Sequence, residues 1–277
     1  MECELKGITM HYEMFGEGRP ILMLHGWGVD HRHIASDMEP LFLHRTGWKR
    51  IYPDLPGHGK TPGKDWIQNQ DRFLDVVLDF IDKVIPGQQF VLAGASYGTY
   101  LARGIVLRRS ASIDGLLLNV PVIVQGAKRH VPPHLTLVAD PQLASGLEPE
   151  VADYFQLAVV QDRKVADHIR DNFTSGTDTG DPVFQAKIRE IPENYAYSFD
   201  VGALSKPCPA PSLIITGRQD SVVGYRDAWE ILENYPRGTF AVLDRAGHLA
   251  SVEQEHLFRA LAGEWLDRVE EYDHEKS

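Results

Sequence analysis

A serine set between glycines is the first feature with chemical potential. Gly94-Ala95-Ser96-Tyr97-Gly98 follows the apolar run at 90–93 and precedes Tyr97–Arg109, whose apolar residues recur at helical spacing. A strand that turns abruptly into a helix strains the backbone of its central residue and leaves no room for flanking side chains, so glycines are needed there. The turn holds the serine oxygen beside the helix N-terminus, where unpaired N–H groups favour developing negative charge. The plainer alternative is a Gly-rich turn whose serine only caps the helix.

A serine hydroxyl is a poor nucleophile near neutral pH and needs a base, for which histidine is best poised. Twelve histidines compete. Place selects His248, because Arg245-Ala246-Gly247-His248 follows the last apolar run, 239–243, at the carboxyl edge of the same sheet as Ser96. The imidazole in turn needs a carboxylate to fix its tautomer and stabilise its cation. Asp220, in Thr216-Gly217-Arg218-Gln219-Asp220 just past the run 212–215, meets that need, with Glu253 as the backup acid. The equivalent spot after 116–118 carries Asn119, which cannot supply a charge.

The elements that must position these residues are readable too. Continuous apolar runs at 20–24, 50–52, 90–93, 115–118, 212–215 and 239–243 predict six parallel strands, each buried on both faces. Loose alternation over 3–12 predicts a strand pair at the sheet edge, closing in a turn at Phe15-Gly16-Glu17-Gly18. Between strands, 71–84 places Phe73, Val76, Val77, Phe80, Ile81 and Val84 on one helix face. The alternation predicts an α/β fold with a mostly parallel, doubly wound sheet covered on both faces. It breaks over 121–206, where 148–173 and 182–199 read as helices, so a helical cap is expected between core segments 1–120 and 207–277. Pro207-Cys208-Pro209-Ala210-Pro211 marks the return to the sheet.

The chain order Ser96, Asp220, His248 resembles that of the α/β-hydrolase superfamily, serine-nucleophile branch, and the likeness extends over essentially the whole length. His25-Gly26-Trp27 is similar to that family's oxyanion loop, and Asp54-Leu55-Pro56-Gly57-His58-Gly59 to its D-x-x-G-x-G turn. The resemblance implies an oxyanion hole built from the backbone N–H groups of Trp27 and Tyr97, and a mainly structural His25. It implies cofactor-free hydrolysis of a small ester or related acyl compound through an acyl-enzyme. C–C bond hydrolases and proline-releasing aminopeptidases are similar in fold and triad, some members of the superfamily bind ligands without turning them over, and the motifs do not separate these. Serine at position 96 disfavours the epoxide hydrolases and haloalkane dehalogenases, which carry an aspartate there.

Pocket walls are expected from Trp27, Tyr97, Tyr100, His25 and Asn119. In the insertion, Tyr154, Phe155, Phe173, Tyr195, Tyr197 and Phe199 either line the pocket or simply pack. Asp153, Asp162, Asp167 and Asp171 read as a solvated helix face, from which one could hold a substrate amine. His31-x-His33 lacks a third ligand at suitable spacing, so it reads as a solvated helix face and no metal site is expected.

Composition narrows the function classes. The chain has 277 residues, 43% of them hydrophobic and 24% charged, enough for one large domain with an insertion. A net charge of -11 disfavours nucleic acid, whose phosphates are bound largely by Lys and Arg. Apolar runs such as 20–24 fall far short of the roughly 20 residues of a membrane span. The N-terminus lacks a basic stretch followed by an apolar run, so a cytoplasmic protein is expected. Two cysteines, Cys3 and Cys208, make neither a disulfide framework nor a metal cage. The expected partner is a small-molecule substrate, with monomer and homodimer both open.

Overall fold

The computed structural model describes residues 1–174 and 180–276. Eight strands form one sheet: β1 Glu2–Leu5, β2 Ile8–Phe15, β3 Arg19–Leu24, β4 Trp48–Pro53, β5 Phe90–Ala95, β6 Ile113–Asn119, β7 Ser212–Gly217 and β8 Gly238–Leu243. Their order is β1-β2-β4-β3-β5-β6-β7-β8, with β1/β2 and β2/β4 antiparallel and every other pairing parallel. Parallel strands need crossover connections, and the helices that make them cover both faces. Strands β5, β6 and β7 are buried along their whole length, as continuous apolar runs demand. Strand β8 is not, since it lies at the sheet's end and is half-exposed over most of its length. An edge strand can read as a core strand when its residues are apolar, and 239–243 is such a case.

The edge hairpin also turns earlier than expected. Leu5 pairs with Ile8 across Lys6-Gly7, where Gly7 adopts φ +83°, a turn that suits the twist of an antiparallel pair. The Gly16–Gly18 turn instead leads from β2 into β3.

Helix α1, His31–Met38, follows β3, and α2, Gln70–Val84, starts on an Asn69 cap whose side chain accepts the Arg72 N–H. Helix α3, Tyr97–Arg109, is buried on all sides from Tyr97 to Val106 rather than on one face. Even Arg103 is buried there, its guanidinium donating to the Val122 and Ile123 carbonyls. None of the helices among the described residues is long and apolar enough to cross a membrane.

Between β6 and β7 the chain makes short helices: α4 Pro141–Ser145, α5 Pro149–Phe155, α6 Arg163–Ile169 running into a π turn at Arg170–Thr174, α7 Pro182–Arg189 and α8 Pro192–Tyr195. The two long helices expected here are therefore broken. Residues 156–162 leave the helix, Val160 bridging to Val138, and Asp162 restarts it by accepting the Val165 N–H. Pro192 breaks the second, because the residue before a proline is pushed out of helical geometry and Ile191 is extended. The excursion packs in two ways. Val151, Phe155, Ala158, Val165, Ala166, Ile169 and Phe173 form a small core of their own with Val29, Leu249 and Val252. Phe184, Ile188, Tyr197 and Val201 join the main core. After β7 come α9 Arg226–Trp229, then α10 Ala250–Glu253 and α11 Glu255–Lys276 beyond β8.

Candidate active site

Ser96 stands between β5 and α3 at φ +50°, ψ −115°, a region disfavoured for any side chain and tolerated where the surroundings over-determine it. Two contacts do so. Its N–H donates to the Asn119 carbonyl at the end of β6 (2.9 Å), and Gly98 lets α3 press on the loop after β3. A Cβ at Gly98 would stand 2.0 Å from the Leu24 carbonyl oxygen. The helix can approach only because position 98 is glycine.

The Ser96 hydroxyl lies 2.9 Å from His248 Nε2, and His248 Nδ1 lies 3.0 Å from Asp220 Oδ2. Asp220 is fully buried, and its other oxygen accepts the N–H groups of Val222 (2.8 Å) and Val223 (2.9 Å). A carboxylate held this way can only accept, so His248 carries its proton on Nδ1 and presents a lone pair to the serine. Backbone packing sets the spacing of acid and base, since a Cβ at Gly217 would be 2.2 Å from the Gly247 carbonyl.

Trp27 and Tyr97 border the cavity above Ser96. As the first residue of α3, Tyr97 has a backbone N–H with no acceptor inside the helix. The loop bearing Trp27 is pinned by histidines. His25 Nδ1 donates to the Gly26 carbonyl (2.7 Å) while its Nε2 accepts the Leu55 N–H (3.0 Å), and the Gly26 N–H donates to His33 Nδ1 at 3.3 Å. Burial pushes His25 below its ordinary value, and burial reinforced by neighbouring imidazoles pushes His33 and His58 down to about 3. All three are neutral near pH 7, so the Nδ1 of His33 is free to accept.

The cavity encloses about 200 Å³. Its inner wall comes from the sheet edge: Gly26, Trp27, Ser96, Tyr97, Asn119 and His248. Its outer wall comes from the excursion: Tyr154, Leu157, Phe173, Arg189 and Tyr195, with Val120, Val122, Arg129, Val222 and Val223 at the sides. The buried Oδ1 of Asn119 has no hydrogen-bond partner among the described residues. It is an acceptor available to a bound molecule.

Several sequence-level assignments need correcting. His25 and Tyr100 do not border the cavity; Tyr100 lies beneath it, its hydroxyl accepting the Tyr197 N–H. Of the excursion's aromatics, Tyr154, Phe173 and Tyr195 line the cavity, whereas Phe155, Tyr197 and Phe199 only pack. Asp153, Asp162, Asp167 and Asp171 do not border it. Glu253 is not a spare partner for His248, because its carboxylate accepts backbone N–H groups instead.

His31 and His33 are not a solvated face either. His33 is a cavity wall, while His31 Nδ1 binds Asp54 Oδ1 (2.7 Å). Without His33, a cluster does form around His31 and Asp54 from β2: His11 Nδ1 binds Asp54 Oδ2 (2.9 Å), a long-range meeting that spacing along the chain does not reveal. Burial alone would raise Asp54, but the hydrogen bonds from His31 and the Lys60 N–H outweigh it and hold the carboxyl far below the usual range. Asp54 thereby ties β2, α1 and the turn at 54–59 together behind the Trp27 loop.

Residues with no sequence signal complete the cavity. Arg129 and Arg189 both border it, and the described lining contains no carboxylate. Arg129 spends donors on the Val124 and Val222 carbonyls, and neither guanidinium pairs with a carboxylate among the described residues. The described lining thus holds two arginines, Arg129 half-buried and Arg189 exposed, and no acidic side chain.

The model of a family described as the alpha/beta hydrolase family matches residues 21–261. A pimeloyl-[acyl-carrier protein] methyl ester esterase of Legionella pneumophila (strain Corby) is 22% identical over 275 residues, covering 94% of this chain and 100% of its own. A 2-hydroxy-6-oxo-6-(2'-aminophenyl)hexa-2,4-dienoic acid hydrolase of Metapseudomonas resinovorans is 24% identical over 265 residues, 95% of this chain and 89% of that one. The crystal structure of an alpha/beta superfamily hydrolase from Oenococcus oeni PSU-1 superposes with a TM-score of 0.85 at 25% identity, covering 98% of this chain and 99% of the other.

Proposed function

From the premise that this chain belongs to the alpha/beta hydrolase family, we propose that it is a serine hydrolase acting on an ester whose acyl part carries a negative charge. The observation that carries the reading is the unbroken chain from Ser96 Oγ through His248 to the buried Asp220, opening on a cavity. Ser96 attacks the ester carbonyl as His248 Nε2 takes its proton, and the backbone N–H groups of Trp27 and Tyr97 hold the oxyanion. The imidazolium, stabilised by Asp220, protonates the leaving alkoxide. A water deprotonated by His248 then attacks the acyl-enzyme and releases a carboxylic acid. No step calls for a cofactor. Residues 121–206 act as a cap whose side chains select the acyl group.

The charge preference follows from Arg129 and Arg189. Two arginines, with no carboxylate among the described lining residues, favour a bound carboxylate over an ammonium group. That argues against a proline-releasing aminopeptidase. It suits the names of the relatives, one acting on an acyl-carrier-protein ester and the other on a dienoic acid. Cleavage of a C–C bond in such an acid is the second reading, favoured by the same two arginines.

The test is labelling by a fluorophosphonate probe with peptide mass spectrometry, on the native chain, Ser96→Ala and His248→Ala. Modification at Ser96 that collapses in His248→Ala is expected. A folded native protein whose Ser96 stays unmodified would instead leave a ligand-binding protein on the same scaffold. Paired esters with and without a terminal carboxylate, and a ring-cleavage dienoate, then separate the two hydrolytic readings.

A further inference from the structure

We propose that Glu253 is a positioning residue that joins the outer wall of the cavity to the loop bearing His248, so that the two can shift only together; for its catalytic consequence this rests on the hydrolase reading. Glu253 closes α10, five positions after His248. Its Oε1 accepts the N–H groups of Val159 and Val160 (the latter at 3.0 Å), in the stretch between α5 and α6 that leaves the helix. Its Oε2 accepts the N–H of Gly247, the residue before His248, at 2.6 Å. One carboxylate thus binds three backbone donors from two segments about ninety residues apart in sequence.

The surroundings make the joint tight. Val159 and Val160 are buried, with 0% and 7% exposure, so water does not replace a lost acceptor. The outer strand of the joint continues outward, the Leu137 N–H donating to the Val159 carbonyl and the Gln161 N–H to the Val138 carbonyl. Leu249, which caps α10, and Val252 within it pack into the excursion's small core with Val151, Phe155 and Ala158. At the contact itself a Cβ on Gly247 would stand 2.8 Å from Val159 Cγ2, an approach that glycine permits. Burial pushes the Glu253 carboxyl above its ordinary value while the three N–H groups pull it back, as befits an acceptor built into the fold.

The consequence concerns when the site is competent. Leu157, two residues from Val159, borders the cavity, so a bound acyl group presses on the same stretch that Glu253 holds. Lifting that stretch pulls on Gly247 and draws the imidazole away from Ser96 and Asp220. The base is aligned only while the outer wall is seated.

Glu253→Gln is the discriminating variant, because an amide must turn its NH₂ toward either Gly247 or the Val159–Val160 pair and so releases one side. Amide hydrogen exchange of peptides spanning 156–162 and 245–249 reads the joint without requiring activity. Fluorophosphonate labelling of Ser96 reads the alignment of the base. Lys164→Met disturbs the outer wall with Glu253 intact: it cuts the Lys164–Glu255 ion pair and the bond to the Val252 carbonyl, which hold the excursion to the core without passing through Gly247.

In Glu253→Gln both peptides should exchange about tenfold faster or more, and Ser96 labelling should slow about tenfold with the fold intact. In Lys164→Met, with the joint intact, any loosening of the outer peptide should be matched at 245–249 and should slow the labelling with it. The proposal fails if either variant loosens one peptide alone, or if both loosen while Ser96 is labelled at the native rate. Should Glu253→Gln not fold, Gly247→Ala, which forces its new methyl against Val159, must give the same paired response. A native protein that resists the probe would refute the hydrolase reading, while the exchange result would still decide the linkage.

Discussion

The inner and outer walls of the cavity are held by different physics. On the inner wall each chemical residue is fixed by backbone: Ser96 by the Asn119 carbonyl and the approach at Gly98, Asp220 by two N–H donors, His248 by a loop packed against Gly217. On the outer wall, short helices present Tyr154, Phe173, Arg189 and Tyr195 as side chains, with a small core beneath them. Chemistry demands placement within a fraction of an ångström, which strand ends can supply. Selection among substrates tolerates more variety, which side chains on short helices can provide.

The largest effect expected from disturbing the inner wall comes from Asp220→Asn. The asparagine oxygen can still accept from Val222 and Val223, leaving its NH₂ against His248 Nδ1. That favours the wrong tautomer and puts a proton where the serine needs a lone pair. The structure should persist while kcat falls about 10⁴-fold; steady-state kinetics beside a thermal melt checks both. A loss below tenfold would remove Asp220 from the triad.

Gly98→Ala probes the same wall through packing alone. With the Leu24 carbonyl where the methyl must go, the helix has to retreat, at a cost of about 1–3 kcal/mol or more, read as a lowered Tm together with slower Ser96 labelling. The matching change outside, Tyr154→Phe, removes only a 3.4 Å bond to the Gly28 carbonyl and should leave both nearly unchanged.

Arg189→Met tests whether the outer wall selects by charge. Losing a charge-assisted hydrogen bond costs about 1.5–3 kcal/mol, so kcat/KM for a carboxylate-bearing ester should fall roughly 10- to 150-fold. The matched neutral ester should react as before. Equal losses on both would mean that Arg189 acts through the fold rather than on the substrate.

The same contrast explains what could be read without the structure. Ser96 and Asp220 each follow a fully buried strand and His248 follows the edge strand β8, and a strand's position in a parallel sheet fixes the edge on which the next loop emerges, so their meeting was inferable across 152 residues. Arg189 ends a short helix whose orientation depends on Pro192 and on Phe184 reaching the main core, and nothing local encodes that. His33 shows how a pattern can mislead: polar residues around it suggest a wet helix, but the excursion covers that face, Phe173 packing edge-on at 4.7 Å. The break at 156–162 escaped for a related reason, since its apolar residues fit a helix period while Glu253, far along the chain, claims their N–H groups.

Acid sensitivity separates the walls most finely. His33 and His58, on the core side of the cavity, are pushed down to about 3, and His168 in the excursion to about 4, in each case chiefly by burial. Their unfolded value is about 6.5, so below that pH the unfolded chain binds protons that the folded chain refuses. The stability they lend is complete above pH 6.5 and drains away on acidification, down to about pH 4 for His168 and about pH 3 for the other two. His168→Gln should therefore flatten the fall in stability between pH 6.5 and 4 by about one proton's worth, with the remaining slope kept by His33 and His58. Urea melts across that range measure it. If the excursion opens on its own in acid, hydrogen exchange at 163–169 should rise before that of β5, and His168→Gln should delay it; simultaneous loss of both would make the two walls one cooperative unit.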